Sequence, residues 1–404
     1  MIALSEKDVD RYLIKLLNDP IEQFPDELGG EELWVRIARR TERHGLAPLM
    51  YWKFRQVPSL IPQSIFEQFK QSYLTTLGRN RIFFAELQRV LGWLTAQGIT
   101  VVLLKGAVFA RTFYEDIGLR PMSDLDILLR KEDIPGAVHL LKQHGYEEPV
   151  LHQSELLKQD ASHDVHLRRA QPPHVDIEVH WLLVGGEKFR HKTDMSWFWQ
   201  RVVLLTGWGE GVATLSPTAH LLYLCAHLGY QHGLASVGWL WLVELARFLE
   251  RYHQEIDWTD FVEGANHLTW SAAAYYTFQA VDQLFPQTSL PDQVMSQLRA
   301  QMTAEEESHV IAMSQVVPSR VAFAWKQFEQ LDNAARLRAV ISRLFPSLAF
   351  MRQRYGFRSN WQAILGYPVR WLDMTNVLLK YVIARFRANK KRQNRARRDF
   401  PFLA

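Results

Sequence analysis

The strongest structural signal in this chain lies in two neighbouring segments, ITVVLLKG at residues 99–106 and SDLDILL at residues 123–129. Each contains a short apolar run, and the first is rich in β-branched residues, which is typical of a strand buried on both faces. Between them, residues 107–114 have a helical pattern, and a loop that contains Gly118 and Pro121 follows. The two segments therefore predict a strand, a helix, a loop and a second strand in succession.

The chain continues with a predicted helix at residues 133–144 and two further strand-like runs, near residues 164–168 and at residues 174–182. In the last run apolar and polar residues alternate, which predicts a strand with one polar face. That polar face consists of His174, Asp176, Glu178 and His180. These strands and helices predict a small α/β core with a mixed sheet.

Helical patterns dominate on both sides of this core. They cover the N-terminal part of the chain and resume at Pro217, with further prolines marking the breaks between helices. We therefore predict an α+β fold that is mainly α. Its four parts are an N-terminal helical region at residues 1–97, the core at residues 98–184, a C-terminal helical region at residues 185–387 and a basic tail at residues 388–404.

The net charge of +4 is unevenly distributed along the 404 residues. Residues 385–398 contain eight basic side chains and no acidic one, so the rest of the chain is net negative. A basic segment of this kind is a candidate for binding an anionic membrane surface or a nucleic acid. A solvated tail is the simpler interpretation.

Cysteine content and hydropathy bear on the cellular compartment. The single cysteine, Cys225, excludes an intrachain disulfide and a metal site built on several cysteines. The first residues lack the basic and apolar segments of a secretory signal, and no apolar run approaches the ~20 residues of a membrane-spanning helix. These features predict a cytoplasmic protein.

Asp124 and Asp126 form an acidic pair at the start of the second strand. Because they are two residues apart, both side chains project from one face, and carboxylates so close repel each other unless a proton or a cation intervenes. A hard divalent cation such as Mg²⁺ takes oxygen ligands and keeps positions open for substrate phosphates. A third carboxylate from a neighbouring strand completes a two-metal site, and Asp176 and Glu178 are the candidates.

The Lys105-Gly106 turn precedes this acidic pair. A glycine at a strand-to-helix junction lets the backbone approach a phosphate, whose charge meets the positive N-terminus of the helix. The Lys105 side chain adds a positive charge to that surface. The turn and the acidic pair together predict a site for metal-bound phosphates.

These motifs resemble those of the polymerase-β-like nucleotidyltransferase superfamily, whose signature is a glycine-containing strand–helix turn followed by Asp-x-Asp on the next strand. More narrowly, the chain resembles a bacterial family of uncharacterised nucleotidyltransferases. One difference is Ala107, where many superfamily members have a phosphate-binding serine. The resemblance is carried by Lys105-Gly106-Ala107, by RPMSDLD at residues 120–126 and by Glu178-Val179-His180-Trp181.

The resemblance implies transfer of a nucleoside monophosphate, here AMP, from a nucleoside triphosphate such as ATP to a hydroxyl or phosphate of an acceptor. It implies two Mg²⁺ or Mn²⁺ ions, held by the catalytic carboxylates Asp124, Asp126 and Glu178. The residues expected to bind the nucleotide phosphates are Lys105, Gly106, Arg120 and Ser123.

The acceptor is not indicated, and a small molecule, a sugar, a peptide and a protein all fit. The spacing of the histidines places His220 and His227 on one helix and His232 beyond its end. The candidate substrate contacts are Asp176, His180, His227 and His232.

Two alternatives remain at this stage. Glycosyltransferases also use an Asp-x-Asp motif to bind a metal and a sugar nucleotide, but they usually have several strand–helix units before it, whereas residues 1–97 have a helical pattern. The second alternative is a catalytically inactive nucleotide-binding module of the same fold, to which Ala107 points.

Overall fold

The computed structural model describes residues 6–21, 30–148, 163–185, 193–234, 238–288, 290–314 and 333–375. The described chain is mainly helical and contains one seven-stranded mixed sheet, which confirms the predicted fold class. Among the described residues, every helix is too short or too polar to cross a bilayer. The predicted basic tail at residues 388–404 lies outside the described residues.

In the described residues four helices precede the sheet, within the N-terminal region that the sequence predicts as helical. In α2 the acidic residues Glu31 and Glu32 occupy the first turn and Arg40 and Arg43 the last, which matches the helix dipole at both ends. The long helix α4 packs against the first strand and carries buried residues such as Phe83 along its length. The four helices are α1 (Glu6–Asn18), α2 (Glu31–Arg43), α3 (Ala47–Phe54) and α4 (Gln63–Thr95).

The sheet has the strand order β3-β4-β5-β2-β1-β7-β6. The central strand β2 pairs in parallel with β5 and antiparallel with β1, and its residues are all buried. The register places Asp126 of β2 opposite Glu178 of β5. The strands are β1 (Val101–Leu103), β2 (Leu125–Leu128), β3 (Tyr146–Glu147), β4 (Asp164–Arg169), β5 (Asp176–His180), β6 (Val202–Leu204) and β7 (Val212–Leu215).

Three of these strands, β3, β6 and β7, were not predicted from the sequence. The region at residues 185–387 was predicted as helical, but the sheet continues into it as far as Leu215, and β7 pairs in parallel with β1. The physical reason is length, because an apolar run of three or four residues has no periodicity that separates a strand from a helix segment.

Helices cover the sheet and extend beyond it. Helix α5 packs against β2, and α8 packs against β7. One continuous hydrophobic core runs from α1 through the sheet to α13. The helices are α5 (Lys105–Thr112), α6 (Ile134–Gln143), α7 (Met195–Trp199), α8 (Pro217–Ala226), α9 (Trp239–Tyr252), α10 (Trp258–His267), α11 (Ser271–Leu284), α12 (Asp292–Gln301), α13 (Ala304–Ser314), α14 (Asn333–Leu344), α15 (Leu348–Tyr355) and α16 (Asn360–Leu365).

Helix α8 does not end near His227, where the sequence pattern placed its end. It continues as a π-helical turn, His227–His232, and the turn ends at Gly233, which has a φ of 75°. His232, expected beyond the helix, is therefore part of the turn. A π-helical turn widens the backbone locally and is often found at functional sites.

The π-helical turn packs closely against α11 at Gly229. A Cβ atom at this position would lie 2.9 Å from the Ala273 Cβ and 3.0 Å from its Cα. We therefore expect Gly229→Ala to lower the free energy of unfolding by about 1–3 kcal/mol, because the extra methyl group overpacks the helix contact.

The matched control is Gly92→Ala in α4, where a Cβ atom would have nothing within 4 Å. This control should raise stability by roughly 0.5–1 kcal/mol, since alanine is the better helix former. Chemical denaturation of both variants provides the measurement. A Gly229→Ala variant as stable as the native chain would show that the π-helical turn and α11 are not closely packed.

Candidate active site

Two carboxylates lie side by side on parallel strands at the centre of the sheet. Asp126 and Glu178 are register partners, and His180 projects from the same face two residues after Glu178. One ligand atom from each of these three residues lies within 4.8 Å of the other two. The Asp126 side chain is only 2 % exposed, whereas the Glu178 side chain is 30 % exposed. The cluster therefore contains one buried carboxylate, that of Asp126, and one that solvent can reach, that of Glu178.

Asp124 lies one residue before β2 and adds a third negative charge. Burial, together with repulsion from Asp126 and Glu178, raises the pKa of Asp124 to about 6. The Ser123 hydroxyl opposes this shift by donating a hydrogen bond to Asp124 Oδ2 at 2.9 Å. The three carboxylates are thus held closer together than their mutual repulsion favours.

Two positive groups balance the buried Asp126. Burial favours its neutral form, but Lys105 Nζ at 3.4 Å and His180 Nε2 at 3.2 Å from Oδ1 hold the pKa of Asp126 well below its usual range. Burial also opposes protonation of His180, yet its hydrogen bonds to Asp126 and Glu178 raise its pKa to about 9. His180 is therefore a charged partner of the carboxylates at neutral pH.

Lys105 begins α5 directly after β1, and its ammonium group has partners on both sides. Nζ lies 2.9 Å from His227 Nε2, and it also interacts with the Tyr223 hydroxyl. Burial opposes the charged form, but Asp126 and the other acidic groups keep the pKa of Lys105 above its ordinary value. The charged ammonium group of Lys105 therefore lies between the carboxylates on one side and helix α8 with its π-helical turn on the other.

A row of neutral polar groups continues from Lys105. Since the ammonium donates to His227 Nε2, the other ring nitrogen, Nδ1, donates to the side-chain oxygen of Gln231 at 3.2 Å, and the Gln231 amide donates to His163 Nε2 at 3.2 Å. Burial lowers the pKa of His227 and of His163, the latter to about 3. His232 lies against the His227 ring at a centroid distance of 4.4 Å, and burial lowers its pKa to about 3.

A family model described as an uncharacterised nucleotidyltransferase matches residues 30–286 of this chain. The match covers more than half of the sequence and includes the whole sheet, α8 and the π-helical turn. This chain belongs to that nucleotidyltransferase family. No curated protein and no solved structure matches the chain significantly.

The candidate site contains most of the residues that the sequence singled out, but not all of them make the expected contacts. Lys105, Ser123, His227 and His232 lie around the carboxylate cluster, as described above. Asp176 is directed elsewhere, since its carboxylate accepts hydrogen bonds from Arg168 at 2.7 and 2.8 Å and from His166 at 2.9 Å.

Arg120 also differs from the expectation. Its guanidinium is buried and binds both carboxylate oxygens of Glu244 in α9, with Nε–Oε1 at 2.6 Å and Nη2–Oε2 at 3.1 Å. The remaining nitrogen, Nη1, lies where it would be 3.4 Å from a Cβ atom at Gly106. The Tyr114 hydroxyl donates to the same Glu244 at 3.2 Å. Arg120 thus joins the Lys-Gly turn to the C-terminal helices.

Several residues of the site were missed from the sequence. One feature of the sequence could have identified Glu244. It is an isolated acidic residue in the apolar stretch WLWLVELA at residues 239–246. Gln231 and Tyr223 had no such feature, since Gln231 reaches His163 and Tyr223 reaches Lys105, both far away in the chain. His163 forms a second candidate ligand group with Asp164 and His180 next to the carboxylates.

The buried Arg120–Glu244 pair is expected to be essential for stability. Replacing Glu244 by alanine leaves the Arg120 charge buried without its partner, and such a change typically costs about 3–5 kcal/mol. We expect a correspondingly lower denaturation midpoint for Glu244→Ala.

The exposed pair Lys142–Glu148, with an Nζ–Oε1 distance of 2.8 Å, provides the control. Because solvent screens this pair, Glu148→Ala should change stability by less than about 1 kcal/mol. Equal losses in the two variants, or a small loss in Glu244→Ala, would contradict the role given to the buried pair.

Proposed function

We propose that this protein transfers a nucleoside monophosphate, AMP from ATP, to a hydroxyl or phosphate group of an acceptor in a metal-dependent reaction. The observation that carries the proposal is the register of β2 and β5, which sets Asp126 beside Glu178 with Asp124 next to them. The Lys-Gly turn at the β1–α5 junction and the Asp-x-Asp at β2 support a place in the polymerase-β-like superfamily.

The donor atoms suit Mg²⁺ or Mn²⁺. Asp124, Asp126 and Glu178 offer carboxylate oxygens, which are the ligands that these hard cations prefer. Burial, and after it repulsion from Asp126 and Glu178, raises the pKa of Asp124, so a cation beside this carboxylate would favour its charged form. We propose that these three residues hold two ions, which when bound neutralise phosphate charge and lower the pKa of the attacking hydroxyl.

The side chains around the carboxylates have distinct proposed roles. Lys105 and the N-terminal backbone N–H groups of α5 at Gly106 face the triphosphate, and Ser123 orients Asp124 through its hydrogen bond. Glu178 is exposed enough to accept the proton of an acceptor hydroxyl. Arg120 acts indirectly, because its ion pair with Glu244 fixes the turn that presents Gly106.

The neutral histidines form a proposed substrate surface. His227 and His232, together with His163, place uncharged imidazole rings next to the Lys105 ammonium. Such groups suit contacts with a base or with an acceptor better than they suit phosphates, which favour charged donors. Charge neutralisation and positioning then supply most of the rate enhancement, as expected for attack on a phosphate.

Two aspartates of the same region allow a matched test. Asp124→Asn removes a repelled carboxylate, so we expect a higher melting temperature without ligand and loss of the Mg²⁺-dependent stabilisation by nucleotide. Asp176→Asn weakens the hydrogen bonds to Arg168 and His166, so it should lower the melting temperature but keep the nucleotide effect.

The measurement is thermal unfolding with ATP, GTP, CTP or UTP, each with and without Mg²⁺. A ligand at ~100 times its Kd stabilises the folded state by roughly 2.7 kcal/mol, which is measurable as a shift. Retention of the shift in Asp124→Asn, or its loss in both variants, would contradict the proposed site.

Pyrophosphate release tests turnover separately from binding. Family membership argues against a glycosyltransferase. A catalytically inactive nucleotide-binding module of the same fold would show the Mg²⁺-dependent shift, but it would release no pyrophosphate with any acceptor offered. An active enzyme releases pyrophosphate in a reaction that Glu178→Gln slows while the chain stays folded.

A further inference from the structure

The described residues 333–375, here called the C-terminal unit, expose an unusual amount of apolar surface. Of the fifteen large hydrophobic side chains that the described chain exposes, ten lie in this unit of 43 residues. It lies outside the residues that match the nucleotidyltransferase family and has a small core of its own around Phe350, Met351 and Ala363. The exposed side chains are Leu337, Val340, Ile341, Phe345, Trp361, Ile364, Leu365, Val369, Trp371 and Leu372.

These side chains follow helical spacing, so they form continuous ridges. In α14, Leu337, Val340 and Ile341 occupy positions i, i+3 and i+4 and are each at least 40 % exposed. From α16 into the helical residues 367–375, a second ridge begins at Trp361 and ends at Leu372. Its members occupy positions i, i+3, i+4, i+8 and i+11, as on one helix face. They are Trp361, Ile364, Leu365, Val369 and Leu372.

The charged residues of the unit are almost all basic. It contains seven arginines and one acidic residue, Asp373, so its net charge is +6. Asp373 is engaged within the unit, where it accepts a hydrogen bond from the Tyr355 hydroxyl at 3.0 Å and lies 3.8 Å from Arg370. The sequence that follows adds the eight basic residues of 385–398, whereas residues 1–332 carry a net charge of −10.

We propose that the C-terminal unit docks on an anionic membrane surface. A helix face with exposed tryptophan and leucine, flanked by arginines, fits the boundary between lipid headgroups and acyl chains. The positive charge of the unit attracts anionic headgroups at about 1 kcal/mol for each basic residue near the surface. The negative charge of residues 1–332 turns the rest of the chain away from that surface.

Other occupants fit these observations less well. A second copy of the unit would bring two +6 surfaces together, and like charges oppose that contact. A nucleic acid would match the arginines, but it offers no apolar surface for Leu365, Leu372 and the aliphatic residues of α14. Of these three occupants, the lipid surface is the one that provides negative charge and apolar contact at the same boundary.

The test is flotation of the full chain with lipid vesicles. We expect binding to vesicles that contain about one third phosphatidylglycerol and little binding to pure phosphatidylcholine. The variant is Trp361→Gln/Leu365→Gln/Leu372→Gln, whose side chains are 67–76 % exposed. Its partition onto the anionic vesicles should fall at least about tenfold, because the apolar contact is lost.

The matched control is Leu74→Gln/Ile82→Gln/Leu204→Gln, which replaces three exposed apolar side chains outside the unit and should leave vesicle binding unchanged. Equal flotation of the two triple variants, or none of the native chain with anionic vesicles, overturns the proposal.

Three further results would also overturn it. A native dimer that the Trp361 variant dissociates in sedimentation velocity would assign the face to a second copy. A lower melting temperature of the variant would mean that the chain itself covers the face. Loss of binding to duplex DNA in the variant, without loss of lipid binding, would assign the face to nucleic acid.

Discussion

The buried carboxylate of Asp126 is the constraint on which the rest of the site depends. A charge removed from water is costly unless other charges and hydrogen bonds compensate it. The protein supplies Lys105 from the end of β1 and His180 from the end of β5. Lys105 in turn requires a neutral acceptor, which His227 provides from the π-helical turn. A single buried charge therefore ties two strands and a distant helix into one arrangement.

A second buried charge, the carboxylate of Glu244, connects the C-terminal helices to the sheet. The guanidinium of Arg120, from the loop before β2, binds Glu244 in α9, and Tyr114, two residues after the end of α5, binds the same carboxylate. The Lys-Gly turn is thereby held between the sheet and the C-terminal helices. The family match, which runs from α2 to just beyond α11, covers both sides of this contact.

Much of the centre of the fold was predictable because its signals are local. The strands β1, β2 and β5 are apolar or alternating runs, and the acidic pair stands out by its position. Glu178 was preferred over Asp176 because of the family resemblance. Asp126 and Glu178 were expected to lie close together because the sequence places them on strands that were expected to be neighbours. Their use as metal ligands stays a prediction.

The rest was not predictable for equally physical reasons. The strands β6 and β7 are too short to show a period, so the pairing of β7 with β1 and of β6 with β7 depends on tertiary contacts. The contact between Lys105 and His227 joins residues 122 positions apart, which no local pattern encodes. Arg120 was assigned to phosphates because of its place in the motif, but its charge is bound to Glu244. A buried ion pair cannot be predicted when only one of its two residues, here Arg120, is recognised in the sequence.

The most direct test of the central claim is anomalous X-ray diffraction from crystals grown with Mn²⁺ and a non-hydrolysable ATP analogue. Our account predicts metal peaks within bonding distance of Asp124, Asp126 and Glu178, with the triphosphate between them and the Lys-Gly turn. Metal bound instead at His163, Asp164 and His180, or a nucleotide bound away from the turn, would contradict it.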